Sequence, residues 1–325
     1  MSKYTIRGSE ALDARIDIHL EHIAKTVAPY CEAVVLLGGY GRGEGTPFIK
    51  PDGSQAPFND YDLVVIVDTL NTAVRLQFNT LEKQLTEDLG LPVDLCPYAK
   101  AELPSREFSL LNYEMKHGHM VIRGDEHVLD AMPNYAHDAI PLSEGARLLL
   151  NRGKLLLDIK RRLSNPEPLF AVERIRLIKF IHKALLAFGD AALLAAGQYD
   201  ISYSVKKERI LKIGECPGRE RIVQGYLQAV ELKEWGDFQA LDEYGIESEF
   251  SGVCEQFLRF MPWYRHQYSR RECSIPKAVA LNLKWNRRLC TQHPRVQLYD
   301  AIIELLQDKA AMSHQRFYEL QRRFS

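Results

Sequence analysis

Paired cysteines are missing from this chain of 325 residues: its six cysteines, Cys31, Cys96, Cys216, Cys254, Cys273 and Cys290, are scattered and no C-x-x-C occurs. Zinc ribbons and redox dithiols need two thiols close in sequence, and small secreted scaffolds need a higher density, so reduced, packed thiols are expected. Long apolar runs are missing as well. No uninterrupted stretch reaches the ~18 residues of a membrane-spanning helix, and the opening MSKYTIRGSEALDARIDIHLEHI has no apolar core of signal-peptide length. The expectation is a soluble, cytoplasmic protein. Charge of one sign is also lacking: Lys+Arg 42 against Asp+Glu 43 leaves a formal net charge of -1. That balance argues against a dedicated nucleic-acid binder and confines any phosphate contact to a local patch. Finally, there is no H-E-x-x-H, no G-x-S-x-G and no Walker A string, which removes zinc-protease, α/β-hydrolase and P-loop readings.

What is present is ordinary globular material, 46% hydrophobic and 26% charged, at a length that suggests two domains. Residues 9–28 carry Leu12, Ile16, Leu20, Ile23 and Val27 at helical spacing behind Ser9 as a cap. The texture then changes to short apolar runs: 33–37, 61–68 and 91–96 read as strands, 71–89 as a helix, and 46–58 as a loop or hairpin excursion. Beyond about residue 140 such runs give way to long helical patterns at about 143–163, 169–197, 219–236, 250–269 and 296–323. The expected fold class is α+β, a domain with a short mixed sheet over 1–140 followed by an all-helical domain over 141–325.

Chemistry concentrates in one stretch. GGYGRGEG (Gly38 to Gly45) follows the first strand, N-D-Y-D (Asn59 to Asp62) opens the second, and V-D-L (Val93 to Leu95) opens the third. Asp60 and Asp62 are two residues apart, so in extended chain both side chains leave one face. Two carboxylates about 5 Å apart repel by roughly 3 kcal/mol at an effective dielectric of about 20, a penalty that a divalent cation between them removes. Asp94 sits inside a short apolar strand, where a lone carboxylate is disfavoured. Three acids converging on one sheet face suit Mg²⁺ and a triphosphate. The glycines can bring backbone amides close to phosphate oxygens, and Arg42 offers a cation.

In this order the motifs resemble the polymerase β-like nucleotidyltransferase superfamily. G-G-Y-G-R-G-E is especially similar to the uridylyltransferase domains that modify signalling proteins of nitrogen metabolism. The resemblance spans roughly residues 30–125, and Met120 to Asp125 resembles a late strand-and-turn element of that family. Two departures stand out: many members have Gly-Ser where this chain has Gly38-Gly39, and the gap from Gly39 to Asp60 is longer than in compact members. Carried over, the resemblance implies a two-metal enzyme that moves an NMP from an NTP to a hydroxyl acceptor and releases pyrophosphate. Asp60, Asp62 and Asp94 would hold two Mg²⁺ ions, with Asp94 also lowering the pKa of the acceptor hydroxyl or accepting its proton. Gly38 and Gly39 would cradle the triphosphate, and ATP is the expected co-substrate.

The helical region yields further expectations. Its first helix carries a stripe through Leu148, Leu155, Ile159 and Leu163, widened by Leu149 and Leu156. In the next, Arg176, Lys179, Lys183 and Asp190 share a face, and Lys183 is singled out as a phosphate contact from a layout like that of aminoglycoside nucleotidyltransferases. Residues 255–295 interleave nine Lys/Arg with Trp263, Tyr264, Tyr268 and Trp285, a pattern that could hold an acceptor. A small-molecule hydroxyl is the first expectation for that acceptor. A protein side chain, as in adenylylating or uridylylating enzymes, is the second, and a non-catalytic nucleotide-binding interaction protein is the alternative of another class.

Overall fold

The computed structural model describes residues 2–236, 243–267, 274–286, 289–309 and 314–324. The chain forms two compact units. The first comprises Met1–Ile140 together with Asp200–Lys206 and Val230–Asp237; the second comprises Pro141–Tyr199, Lys207–Ala229 and Phe238–Ser325.

The first unit begins with helix α1 (Glu10–Val27), whose N-terminus Ser9 caps through its hydroxyl, accepting from the Leu12 amide. Strand β1 (Ala33–Leu36) leads into a single helical turn, α2 (Gly38–Gly41). A small hairpin, β2 (Pro47–Ile49) with β3 (Gln55–Pro57), occupies the expected excursion. Strand β4 (Tyr61–Val67), helix α3 (Thr72–Leu89), strand β5 (Val93–Ala99), helix α4 (Leu110–His117) and strand β6 (Met120–Arg123) complete the run. The four longer-range strands form a mixed sheet in the order β5-β4-β1-β6, in which β4 and β5 are parallel and the other pairs antiparallel.

Alternation along the strands sorts the side chains. Val34, Leu36, Tyr61, Leu63, Val65, Val93 and Leu95 join Leu12, Ile16, Leu20, Phe78 and Leu85 of α1 and α3 in one core. Each fully buried aliphatic or aromatic side chain there contributes about 1.5–3 kcal/mol of transfer free energy. Asp62 and Asp94 are consequently left on the opposite face, and both are exposed. The edge strand β5 is held from α3: the Val93 amide donates to Thr86 Oγ1 (3.1 Å) and the Leu95 amide to Glu82 Oε2 (3.0 Å). Those two bonds flank Asp94 and satisfy edge amides that would otherwise invite another strand.

Helices make up the rest: α5 (Leu142–Leu163), α6 (Ala171–Ala195), α7 (Tyr203–Ile210), α8 (Arg219–Trp235), α9 (Glu243–His266), α10 (Ile275–Asn286), α11 (Pro294–Leu306) and α12 (His314–Phe324). No strand occurs beyond β6 among the described residues. The molecule is thus α+β, with a small mixed sheet followed by a helical region. Two helical expectations need correction. The buried face of α5 runs through Ala146, Leu149, Leu150, Gly153, Leu156, Leu157 and Ile159, so Leu149, Leu156 and Ile159 lie on it as expected while Leu148, Leu155 and Leu163 are half-buried. Small residues define that face, since a methyl at Gly153 would lie 2.7 Å from Phe257 of α9 and 2.8 Å from Ile302 of α11. The pattern over 296–323 is two helices, α11 and α12, and Asp308 between them takes a left-handed backbone (φ 58°) that ends the first.

None of the described helices is long and apolar enough to cross a membrane. The five described cysteines are free thiols; Cys273 lies outside the described residues.

Candidate metal and triphosphate site

Asp62 and Asp94 are register partners across the parallel β4–β5 pair, and Asp60 precedes β4 by one residue. One carboxylate oxygen from each of the three lies within 4.8 Å of the other two. Ligand oxygens around an octahedral cation at 2.0–2.1 Å are separated by roughly 2.9–4.2 Å, so these side chains need close in by only about an ångström. A pair of ions about 3.5–4 Å apart would also fit a slightly wider set. The donors are hard anionic oxygens, open to solvent, with neither His nor Cys among them, which favours Mg²⁺ or Mn²⁺ over zinc.

Beside the carboxylates lies α2. Gly38 has a left-handed φ of 63°, and a methyl there would meet Asp62 Oδ2 at 2.7 Å. A side chain at position 38 is therefore strained by that φ and would push the Asp62 carboxylate aside. The turn is closed by backbone bonds from Gly41 to the Leu37 carbonyl (3.0 Å) and from Glu44 to the Gly39 carbonyl (2.7 Å).

Arg42, expected to offer a phosphate its charge, is buried against two carboxylates: its side chain is 8% exposed, 3.5 Å from Glu44 and 3.7 Å from Glu114. Glu44 is the hub of that arrangement. Its Oε1 accepts from Ser202 Oγ and from the Tyr203 amide, both at 2.9 Å. The segment at residues 200–206 is thereby fastened to the glycine turn from over 150 positions away in sequence.

This fastening brings in side chains that sequence reasoning missed. The Tyr203 ring has Lys206 Nζ 4.4 Å, Lys233 Nζ 5.2 Å and Arg42 Cζ 6.0 Å from its centroid. Lys206 is almost wholly buried, at 1% exposure. Lys233 Nζ lies 3.4 Å from Thr46 Oγ1 and 3.1 Å from where a methyl on Gly39 would sit. Lys233 thus stands beside the glycine turn, with Lys206 and the paired Arg42 around the Tyr203 ring. The local sequence signal for this arrangement is slight, amounting to Ser202 ahead of a short helix; nothing near Lys233 marks it.

Of the helical-region expectations, Lys183 is half-buried on α6 in the second unit. On the same helix Asp190 accepts from the Tyr226 hydroxyl (3.1 Å). In the basic aromatic stretch, Tyr264 is fully buried and donates to the Leu142 carbonyl (2.9 Å), and Trp263 packs against Phe260. Arg259 pairs with Glu255. Tyr264 and Trp263 thus pack within their own unit, whereas the Arg259–Glu255 pair is exposed. Tyr268, Arg270, Arg271, Arg287 and Arg288 lie outside the described residues.

No family model matches the chain, and no curated protein matches it. Among solved structures, the tri-AMPylated Shewanella oneidensis HEPN toxin in complex with MNT antitoxin is similar at 20% identity, over 34% of this chain and 73% of the matched one, with a TM-score of 0.23. A mutant of the toxin-antitoxin pair MntA-HpeT is similar at 18% identity, over 35% of this chain and 77% of that one, with a TM-score of 0.24. Likenesses this slight carry no functional argument.

Proposed function

We propose that the protein is a nucleotidyltransferase that moves a nucleoside monophosphate from an NTP to a hydroxyl acceptor and releases pyrophosphate. The observation that carries this reading is the convergence of Asp60, Asp62 and Asp94 within 4.8 Å, at the start of β4 and β5 beside a glycine turn. Three mutually repelling carboxylates on an open surface are stable ligands for divalent cations and poor neighbours without them.

The three carboxylates would hold the cations. When bound, divalent ions neutralise charge at the α-phosphate and acidify the acceptor hydroxyl. Gly38 and Gly39 present backbone amides to the triphosphate, and Lys233, whose Nζ lies beside Gly39, adds a cationic contact to it. Asp94 takes the acceptor's proton. The acceptor oxygen forms its bond to the α-phosphorus as the bond from that phosphorus to the β-bridging oxygen breaks, and pyrophosphate leaves with the electron pair. ATP is the expected donor, a small-molecule hydroxyl the expected acceptor, and the cytoplasm the expected compartment.

The test is pyrophosphate release from α-labelled ATP, CTP, GTP and UTP with Mg²⁺ and a pool of metabolites, repeated with a pool of proteins. Metal-dependent release with label in a small product supports the reading, and label in protein moves the acceptor to a side chain. If a chain with all three aspartates replaced by asparagine turns over as fast as the parent, the assignment is wrong. Tight Mg·NTP binding without transfer to either pool favours a non-catalytic nucleotide-binding protein.

A further inference from the structure

We propose that Tyr40 is a positioning residue for Asp60, and that Gly45 seats it; the inference rests on the three carboxylates being cation ligands. Asp62 and Asp94 stand inside paired strands, where the β4–β5 register fixes their backbone. Asp60 does not. It precedes the first paired residue, Tyr61, whose amide bonds to the Pro92 carbonyl at 2.9 Å. Its place therefore depends on what holds residues 58 and 59.

Tyr40 holds them. Its ring is buried at 2% exposure in the middle of α2. Its hydroxyl accepts from the amides of Phe58 (2.9 Å) and Asn59 (3.4 Å) and donates to the Thr46 carbonyl (3.1 Å). One proton and two lone pairs are thus all in use. The Asn59 side-chain amide donates to Thr46 Oγ1 at 3.1 Å, a second tie from the same segment to the same residue. Burial pushes the phenol up to about 12, so it keeps the donated proton at any working pH. A methyl on Gly45 would overlap the Tyr40 ring, which explains a glycine at a position whose backbone does not require one. The glycine-rich string thus has two jobs: Gly38 and Gly39 clear space beside Asp62 and Lys233, while Gly45 clears space for the residue that sets Asp60.

Mn²⁺ alone is the probe, titrated into the full-length protein and followed by electron paramagnetic resonance, with Asp60→Asn as the reference for a lost ligand. Tyr40→Phe keeps the ring and removes the three bonds. Removing a partner that orients a metal ligand weakens metal binding by about 10- to 100-fold, and that loss is expected here. Phe78→Leu, in the core of the same unit and away from the site, controls for lost stability and should bind Mn²⁺ like the wild type. Wild-type affinity in Tyr40→Phe, whatever its melting temperature, overturns the proposal, as does an equal loss in Phe78→Leu. If Tyr40→Phe does not fold, Asn59→Ala carries the test: weaker Mn²⁺ binding supports the proposal and unchanged binding overturns it. A wild-type protein that binds no Mn²⁺ defeats the ligand reading itself, a different failure from that of Tyr40.

Discussion

Asp62 shows how little sequence is needed to locate a site and how much chain is needed to build one. Its position two residues after Asp60, with Asp94 some thirty residues on and glycines ahead, was readable because strand alternation and turn chemistry are local rules. The cations were not readable. Lys233 reaches the glycine turn directly, at Thr46 and Gly39, and Lys206 lies against the Tyr203 ring that Glu44 fastens there; no local rule reports contacts across more than 150 residues. Arg42 was read as a phosphate ligand from its place in the glycine string, whereas its charge is taken up by Glu44 and Glu114. If Lys233 faces the triphosphate, Lys233→Ala raises the KM for NTP by about 10- to 100-fold, the worth of one charged hydrogen bond, with kcat changed less. Steady-state kinetics at saturating acceptor check this. Arg42→Lys, by contrast, is expected to lower thermal stability more than it raises KM, because a lysine cannot span two carboxylates as a planar fork does.

At the scale of elements, β1, β4 and β5 are legible as short apolar runs and the long helices from their period, and the misreadings have particular causes. On α5 the interface is written in small residues, Ala146 and Gly153, which a search for large apolar side chains passes over. Short helices such as α4 and α7 offer too few turns for a period to emerge. Gly153→Ala is therefore expected to cost about 1–3 kcal/mol in urea unfolding, since the methyl is driven against Phe257 and Ile302. Helix α6 supplies a pH dependence. Burial of His182 lowers its pKa from 6.5 to about 4, so the unfolded chain binds a proton in that window that the folded chain does not. Stability from this residue is complete above about pH 6.5, falls as pH drops toward 4, and is lost by about 2–3 kcal/mol over that span. The urea midpoint of His182→Leu should fall less steeply than that of the wild type between those pH values. Parallel curves would show that His182 is not the group responsible.

For the whole molecule, near-zero net charge conceals a local division: an acidic triad on one sheet face and Lys233 beside the adjoining glycine turn, both within the first unit. A metal–triphosphate complex needs that adjacency, and a solvated surface does not create it. The most direct measurement is an anomalous difference map from crystals grown with Mn²⁺ and a non-hydrolysable NTP analogue. The account predicts Mn²⁺ peaks about 2.0–2.2 Å from oxygens of Asp60, Asp62 and Asp94, with the triphosphate lying along Gly38 and Gly39 toward Lys233. Bound nucleotide elsewhere on the protein, with no peak among the three carboxylates, would contradict it.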